Sequence, residues 1–387
     1  MSLPPARMPR PLLDARWRQA VDALVGGDAD AALIALDALA RAGHAPAQCD
    51  LGRALCYGVG READVAAGLQ WLLRADAAGE PRAAFSLAVI GLAGIWIARD
   101  AGTAARRLRH AAQAGFPPAL RGLALALRAE DAADAQRISD ICLAHAAARG
   151  DPVSARLRAR PAFRMDALSP LPLLPEPDLS RGLAPPPARR TLCTDPRVEV
   201  ADQALTAAEC DLAIALGTPF LRPSATVDPR TGAAVKVPLR TSHDAVFDPV
   251  VEDVTLVAMQ ARMAAFADKP LGCAEPLALL RYGPGQEYRP HRDYLPPSRV
   301  RPVPEGGAGQ RDRTVIAYLA TPEAGGETAF PDLALRVPAR RGDLLRFDNL
   351  DAAGRPAPRS LHAGLPVARG EKWICTLWFR EAAYRGA

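Results

Sequence analysis

A short pattern that returns every 36 residues constrains the fold of the first part of this chain more than any other feature. The segments GHAPA at 43–47, GEPRA at 79–83 and GFPPA at 115–119 keep this spacing, and GDPVSA at 150–155 is an imperfect fourth copy. A repeat of this length is typical of stacked helical hairpins, each of which buries its apolar face against the next. Other positions in step are Leu36, Leu72 and Leu108; Ala42, Ala78 and Ala114; and Leu51, Leu87 and Leu123.

The glycine and the proline of each copy fit a junction between two helices. Glycine ends a helix in a left-handed cap, and proline is favoured in the first turn of the next helix. We therefore predict an α-solenoid of helical hairpins over residues 1–160, which resembles tetratricopeptide-like repeats. The resemblance implies a surface that binds a peptide or protein partner.

Residues 161–190 contain eight prolines and separate the repeats from a region of different character. Because such a segment cannot hold a helix or a central strand, we predict a semi-rigid linker and a second domain over 191–387. There, a capping box of Thr206 and Glu209 predicts a helix to about Gly217, and a second helix is predicted from about Pro249 to Ala267. Short apolar runs between Pro/Gly turns then predict an all-β sandwich or jelly-roll barrel. These runs lie at 276–282, 313–320, 326–330, 333–339, 342–349 and 372–381.

Charge and cysteine usage narrow the class of protein. The 387 residues have a formal net charge of +5, but the basic residues are scattered, so no nucleic-acid partner is expected. Seven cysteines without a CxxC pair favour a reducing compartment over a disulfide framework. The longest uncharged run, 83–98, is shorter than a membrane span, and the N-terminus lacks the apolar core of a signal peptide. We therefore expect a cytoplasmic protein that does not enter the membrane.

His291 and Asp293 form a His-x-Asp pair in the stretch YRPHRDYLPP. On a strand, residues i and i+2 point to one face, and imidazole and carboxylate together suit a divalent transition metal. Taken alone, such a pair is more often a hydrogen-bonded surface pair, so a metal site needs a third ligand. His362 is the best candidate, because it lies well downstream and just before a strongly apolar strand. The remaining histidines are His44, His110 and His145 in the repeats, read as structural or solvated, and His243, a weaker candidate in a predicted loop.

A series of segments in fixed order is more specific than the pair. The segments are LTAAEC, RTS, RYGPGQEYRPHRDY, GQRDRTVIAYL, GGETAFP, GDLLRFDN and SLHAGLPVARGEKWICTLWFRE. In these segments residues 191–387 resemble the 2-oxoglutarate- and iron(II)-dependent oxygenases of the prolyl 4-hydroxylase alpha-subunit (catalytic-subunit) type. The resemblance implies a double-stranded β-helix, or jelly roll, with supporting helices. It also implies hydroxylation of a prolyl residue in a peptide or protein, with Fe(II), 2-oxoglutarate and O2 and with ascorbate as an expected cofactor.

The resemblance assigns roles to individual side chains. It implies that His291, Asp293 and His362 bind the iron and that Lys372 pairs with the far carboxylate of 2-oxoglutarate. The chain has only three lysines, which makes one at this position suggestive. The hydroxyl of Tyr282 is expected to bond the same carboxylate. Thr328 and Trp378 are expected to line the cosubstrate pocket, and Tyr288 and Arg311 are expected to face the peptide. For Tyr282, Thr328 and Trp378, a place in the strand core is the alternative.

Other functions stay open. The same oxygenase chemistry could act on another side chain, a free amino acid, a peptide natural product or another small molecule. Alternatively, the chain is a repeat-based adaptor with an inactive oxygenase-like domain, although the intact ligand set and lysine argue against this. In the favoured hypothesis the repeats recruit the substrate or a partner, and two loops, 222–242 and 295–312, close over the site as lids.

Overall fold

A computed structural model describes residues 9–130, 133–157, 170–186, 188–224, 226–227, 234–235, 240–247 and 252–385. These residues form two compact units, which are treated separately below. The first unit contains the described residues up to Asp151 together with 170–179, and the second contains 152–157 and the described residues from Ser180 onward. The predicted boundary at 160 and the start of the predicted linker lie outside the described residues. Within the described part of the chain, no helix has the length and apolarity needed to cross a membrane.

The first unit is a series of helices whose bounds reproduce the 36-residue period. They are α1 (Arg10–Val25), α2 (Ala29–Arg41), α3 (Ala45–Tyr57), α4 (Val65–Ala77), α5 (Pro81–Ala93), α6 (Ala101–Gln113), α7 (Pro117–Arg128) and α8 (Ala133–Ala148). The even-numbered helices α2, α4 and α6 start 36 residues apart, and so do α3, α5 and α7. The predicted α-solenoid of helical hairpins is confirmed.

The repeated residues occupy equivalent places in each hairpin. Leu36, Leu72 and Leu108 are fully buried. The glycine after each first helix takes a left-handed φ of +82° to +86°, which lets the chain turn into the next helix. An aspartate also recurs before each first helix and accepts a hydrogen bond from the backbone N–H three residues on, which caps that helix. The capping residues are Asp28, Asp64 and Asp100.

In the residues that the structure describes, the second unit combines three α-helices with antiparallel strands. Its helices are α9 (Pro152–Leu157), α10 (Ala207–Gly217) and α11 (Val254–Ala267). Its strands are β1 (Arg189–Thr194), β2 (Arg197–Ala201), β3 (Arg222–Pro223), β4 (Thr226–Val227), β5 (Ala234–Val235), β6 (His243–Val246), β7 (Ala278–Tyr282), β8 (Tyr288–His291), β9 (Arg311–Ala320), β10 (Ala324–Gly325), β11 (Thr328–Phe330), β12 (Leu335–Val337), β13 (Leu344–Asp348), β14 (His362–Gly364), β15 (Val367–Arg369) and β16 (Lys372–Arg380).

The strands form a large and a small sheet. The large sheet has the order β1-β2-β13-β9-β16-β7-β6-β3, and the small sheet has the order β12-β11-β14-β8. Two short ribbons, β10-β15 and β4-β5, accompany them. Apolar side chains from both sheets share one buried cluster, in which Ile316, Tyr318 and Ile374 of the large sheet meet Phe330 and Val337 of the small sheet. This two-layer arrangement confirms the predicted jelly roll.

Several predicted boundaries differ from the structure. The second helix begins at Val254 rather than near Pro249. Asp253 is its N-cap, because its carboxylate accepts a hydrogen bond from the Thr255 N–H. His243 lies on β6 and not in a loop. The first predicted helix of this unit agrees: it starts after Thr206, whose capping box is present.

Candidate active site

His291, Asp293 and His362 lie together at one end of the small sheet. Strand pairing brings the histidines side by side, since β14 and β8 align His362 with His291. One ligand-type atom of each of the three residues lies within 4.8 Å of the others. Asp293 follows the end of β8 rather than continuing the strand, so the predicted strand alternation is not what aims it. Within the described residues, no second cluster of three such side chains occurs.

Backbone carbonyls fix the tautomer of both imidazoles. Nδ1 of His291 lies 2.9 Å from the carbonyl oxygen of Arg289, and Nδ1 of His362 lies 3.0 Å from that of Ser360. Because a carbonyl only accepts, each Nδ1 carries the proton and each Nε2 is left with a free lone pair. Both Nε2 atoms point toward the carboxylate of Asp293, at 3.6 and 3.7 Å. This is the arrangement that metal-binding histidines require.

The carboxylate of Asp293 is held by the large sheet. Thr314 Oγ1 donates a hydrogen bond of 2.8 Å to Asp293 Oδ2, and Asn349 Nδ2 donates to Thr314 Oγ1 at 2.9 Å. Burial alone would raise the pKa of Asp293, but the two imidazoles, Arg311 and the Thr314 hydroxyl hold it below its usual value. Burial lowers the pKa of His291 to about 3, with a further contribution from the facing imidazole. The cluster therefore presents one carboxylate together with two imidazole Nε2 atoms.

A cavity of about 500 Å³ extends from this cluster between the two sheets. Its apolar wall includes Leu280, Ile316 and Ile374, and its far end holds Thr328 and Lys372. Such a volume suits a small organic molecule bound next to the three ligand-type groups.

Lys372 is a buried cation at the far end of the cavity. Its side chain is 2% exposed, and the residue forms no ion pair with any described residue. Burial lowers its pKa from 10.5 to about 8, and the nearby charge of Glu327 only partly opposes this. A desolvated ammonium costs folding free energy unless an anion reaches it, so this end of the cavity is suited to a carboxylate.

One hydroxyl group and two tyrosine rings lie beside the ammonium. Lys372 Nζ lies 3.4 Å from Thr328 Oγ1, which accepts a hydrogen bond from the Tyr318 hydroxyl at 2.8 Å. Nζ also lies 5.6 Å from the ring centre of Tyr282 and 5.7 Å from that of Tyr318. Burial raises the pKa of Tyr282, and the neighbouring Arg240 opposes this effect. Tyr282 and Thr328 are thus both buried and both beside the lysine, and both line the cavity.

The glycine pair before Thr328 shapes this end of the site. Gly325 and Gly326 have φ of +74° and +78°, values that residues with a side chain rarely adopt. The chain therefore turns tightly and enters β11 with Thr328 directed at Lys372.

The residues predicted to face the substrate form the other wall. The ring of Tyr288 stacks on that of His291, with centres 3.4 Å apart. Arg311 lies over Trp378, 4.4 Å from its ring centre, and both of its outer nitrogens are engaged by Glu275 or by the Asp293 carbonyl. Trp378 lines the cavity, and its Nε1–H is buried with no acceptor among the described residues.

Four residues near the site were not singled out from the sequence. Thr314 and Asn349 anchor Asp293, Tyr318 orients Thr328, and Arg240 lines the cavity. Every second residue of the predicted strand 313–320 points to the same face, so the sequence predicts that Thr314, Ile316 and Tyr318 share one face. The other two positions depend on pairings between distant segments.

Comparison with known proteins defines the class. The profile of the 2OG-Fe(II) oxygenase superfamily matches residues 277–380, which include all three clustered side chains and Lys372. The chain is 34% identical over 202 residues to prolyl 4-hydroxylase 1 of Arabidopsis thaliana, covering 49% of this chain and 70% of that protein. The protein is therefore an enzyme of the 2OG-Fe(II) oxygenase superfamily. It belongs to the prolyl 4-hydroxylase family.

Two solved structures are each similar to part of the chain. The viral collagen prolyl hydroxylase of Paramecium Bursaria Chlorella virus-1, solved with 2-oxoglutarate, is 30% identical, with 49% of this chain and 98% of that chain covered and a TM-score of 0.39. A Sel1 repeat protein from Oxalobacter formigenes is 28% identical, with 33% of this chain and 96% of that chain covered and a TM-score of 0.30.

Proposed function

We propose that this enzyme hydroxylates a prolyl residue of a peptide or protein, using Fe(II), 2-oxoglutarate and O2. One observation carries the proposal: a buried ammonium that forms no ion pair with a described residue and a His-Asp-His cluster line the same cavity. The relatives in the family are named for prolyl 4-hydroxylation, which supports proline as the target.

In this proposal His291, Asp293 and His362 hold the iron. The fit rests on the donor set: two imidazoles held through Nδ1, with Nε2 facing the cluster, and one carboxylate, a combination that suits Fe(II) and leaves coordination positions open. When bound, the iron supplies the oxidation chemistry, in which 2-oxoglutarate loses carbon dioxide to give succinate. The chain itself holds the imidazoles by their Nδ1–H bonds and holds the carboxylate through Thr314.

Lys372 anchors the cosubstrate by its far carboxylate, with Thr328 and the hydroxyl of Tyr282 beside it. The apolar wall between the lysine and the cluster excludes water from the reacting end. Trp378 closes the pocket near the cluster and offers its Nε1–H to the cosubstrate or the peptide. Tyr288 and Arg311 form the peptide side of the site, where Glu275 keeps the guanidinium in place.

Several further assignments belong to the same proposal. We assign residues 1–160 to a repeat domain that recruits the substrate or a partner, 161–190 to a linker, and 191–387 to the oxygenase domain. Seven unpaired cysteines support a reducing cytoplasmic location. Ascorbate is proposed as a reductant on the strength of the family, and turnover that is unaffected by its omission would count against it.

Two loops are proposed as lids. Most of 222–242 lies outside the described residues. In 295–312, Leu295 and Pro296 line the cavity, and the loop carries short 3-10 turns. Limited proteolysis with and without 2-oxoglutarate tests this, and equal cutting in both states would argue against closure.

The central test is peptide-dependent turnover by the full chain. Proline-containing peptides should gain one oxygen atom by mass, with succinate formed in equal amount, and replacement of proline by alanine should abolish both. Succinate formed without any gain in peptide mass would point to another substrate. No succinate under any condition would favour the inactive adaptor. His291→Ala should abolish turnover, and full activity of this variant would exclude the proposed iron site.

A further inference from the structure

The cavity carries more positive charge than the proposed cosubstrate uses. Among the described residues that line it, Asp293 is the one acidic residue, and the proposed iron takes its charge. Lys372 is assigned to the cosubstrate, so four arginines remain to be explained. They are Arg240, Arg292, Arg299 and Arg311.

Two of these arginines are held by carboxylates within the wall. Arg240 Nη2 lies 3.1 Å from a carboxylate oxygen of Asp244. Arg311 is held by both carboxylate oxygens of Glu275, at 2.7 and 2.6 Å, and its remaining outer nitrogen donates to the Asp293 carbonyl. Glu275 also contacts Arg380, so it does not cancel the charge of Arg311 alone, but the nitrogens of Arg311 are already engaged by the wall.

Arg292 and Arg299 differ from them. Both side chains are exposed, and neither forms an ion pair with a described residue. Arg292 Nε donates a hydrogen bond of 2.8 Å to the carbonyl of Pro358, which positions the guanidinium without neutralising it. Arg299 stands on a loop whose base is tied by Gln310, since the amide of Gln310 exchanges hydrogen bonds of 2.6 and 2.8 Å with the backbone of Leu295. The cavity lining thus includes two exposed guanidinium groups whose charge no described carboxylate neutralises.

We propose that the substrate carries an acidic side chain, aspartate or glutamate, close to the target proline and that Arg292 and Arg299 bind it. This inference rests on the proposed prolyl hydroxylation. The aromatic residues Tyr288, Tyr294 and Trp378 line the same cavity and offer flat apolar surfaces to a proline ring. A guanidinium and a carboxylate form directed, charge-assisted hydrogen bonds, so the two arginines select the neighbouring residue while the rings accept the proline.

The test compares peptides that differ only in charge. Peptides of equal length, blocked at both ends and containing one central proline, carry two glutamates, two glutamines or two lysines beside it. The full chain is assayed with Fe(II) and 2-oxoglutarate for gain of one oxygen by the peptide. Because each exposed ion pair contributes about 0.2–1 kcal/mol, the KM of the glutamate peptide should be about 2- to 30-fold lower than that of the glutamine peptide. The preference should shrink at high salt, because exposed charges are screened.

Charge-reversed variants assign the preference to the two residues. Arg299→Glu and Arg292→Glu should each reduce it, and together they should make the lysine peptide the better substrate. Arg301→Glu is the matched control: Arg301 lies on the same loop, is exposed and does not line the cavity, so the preference should be unchanged. Equal use of the three peptides, or a preference that survives both reversals, would overturn the inference while leaving prolyl hydroxylation intact. Hydroxylation of none of them would refute the proposed function, and the inference with it.

Discussion

Replacing Lys372 by methionine should make the ligand-free enzyme more stable at neutral pH while removing its response to 2-oxoglutarate. Lys372 is 2% exposed, and burial lowers its pKa from 10.5 to about 8. At about 1.4 kcal/mol per pH unit, this lowering means that burying the charged ammonium destabilises the folded chain by roughly 3 kcal/mol. Methionine fills a similar volume without charge, so the variant should gain about 2–3 kcal/mol.

The gain should depend on pH in a defined direction. Below pH 8 the lysine is charged in both the folded and the unfolded chain, so the whole cost of burying the ammonium is present. Between about 8 and 10.5 the folded chain releases this proton while the unfolded chain keeps it, and the cost disappears. The stability difference between variant and wild type should therefore be large at pH 7 and small at high pH.

Calorimetry of the full chain without metal or cosubstrate measures this difference. The relevant transition is the one that 2-oxoglutarate with a divalent metal raises in the wild type, since a ligand stabilises the unit that binds it. For a domain of about 200 residues, 2–3 kcal/mol corresponds to a rise in Tm of about 4–12 °C. Lys372→Met should show this rise at pH 7 and no further rise with 2-oxoglutarate.

Lys269 provides a matched control. Its ammonium lies 2.8 Å from a carboxylate oxygen of Asp312, so Lys269→Met leaves that carboxylate without its cation and should lower the Tm at pH 7. If Lys372→Met also lowers the Tm, or raises it equally at pH 7 and above pH 10, Lys372 is not an unneutralised buried cation and the carboxylate-anchor argument fails.

Three further predictions concern the site and the repeats. The affinity for 2-oxoglutarate should fall as pH rises above about 8, by up to about tenfold per pH unit, because the neutral amine of Lys372 no longer attracts a carboxylate; calorimetric titration that finds no change up to pH 9.5 would contradict this. Thr314→Val should weaken Mn(II) binding by about 10- to 100-fold, measured by paramagnetic resonance, since Asp293 loses its 2.8 Å hydrogen bond; unchanged affinity would remove Thr314 from the site. In the repeats, Arg121→Met should lower the free energy of thermal unfolding by about 1–3 kcal/mol, because it removes the 2.6 Å charge-assisted contact between this buried guanidinium and the partly buried carboxylate of Asp151; an unchanged Tm would show the contact to be dispensable.

The repeat period could be predicted because each hairpin repeats the same local demands. Glycine is favoured at the end of one helix and proline at the start of the next, and both residues recur at a fixed spacing in the chain. The aspartate caps Asp28, Asp64 and Asp100 follow the same period, but they lie outside the glycine–proline segments on which the prediction of the repeats rests. Their capping role is equally local, since each carboxylate accepts from a backbone N–H only three residues on.

The anchoring of Asp293 could not be predicted in the same way. Thr314 on β9 reaches the carboxylate only when the segment after β8 lies against the large sheet, and Asn349 reaches Thr314 because β13 pairs with β9, more than 20 residues away in the chain. Strand register depends on packing of the whole sandwich rather than on a local pattern. The strand positions were therefore predictable, while the residues that meet across them were not.

The two histidines of the site and its lysine lie on different sheets. His291 and His362 belong to the small sheet, whereas Lys372 begins β16 of the large sheet. In the proposed function, a cosubstrate that reached both the metal ligands and the lysine would link the two layers across their shared core. Its binding free energy would add to the packing between the sheets, so stabilisation by 2-oxoglutarate should require both the histidines and the lysine. Without either, the cosubstrate would be held by one layer and would no longer hold the two sheets together.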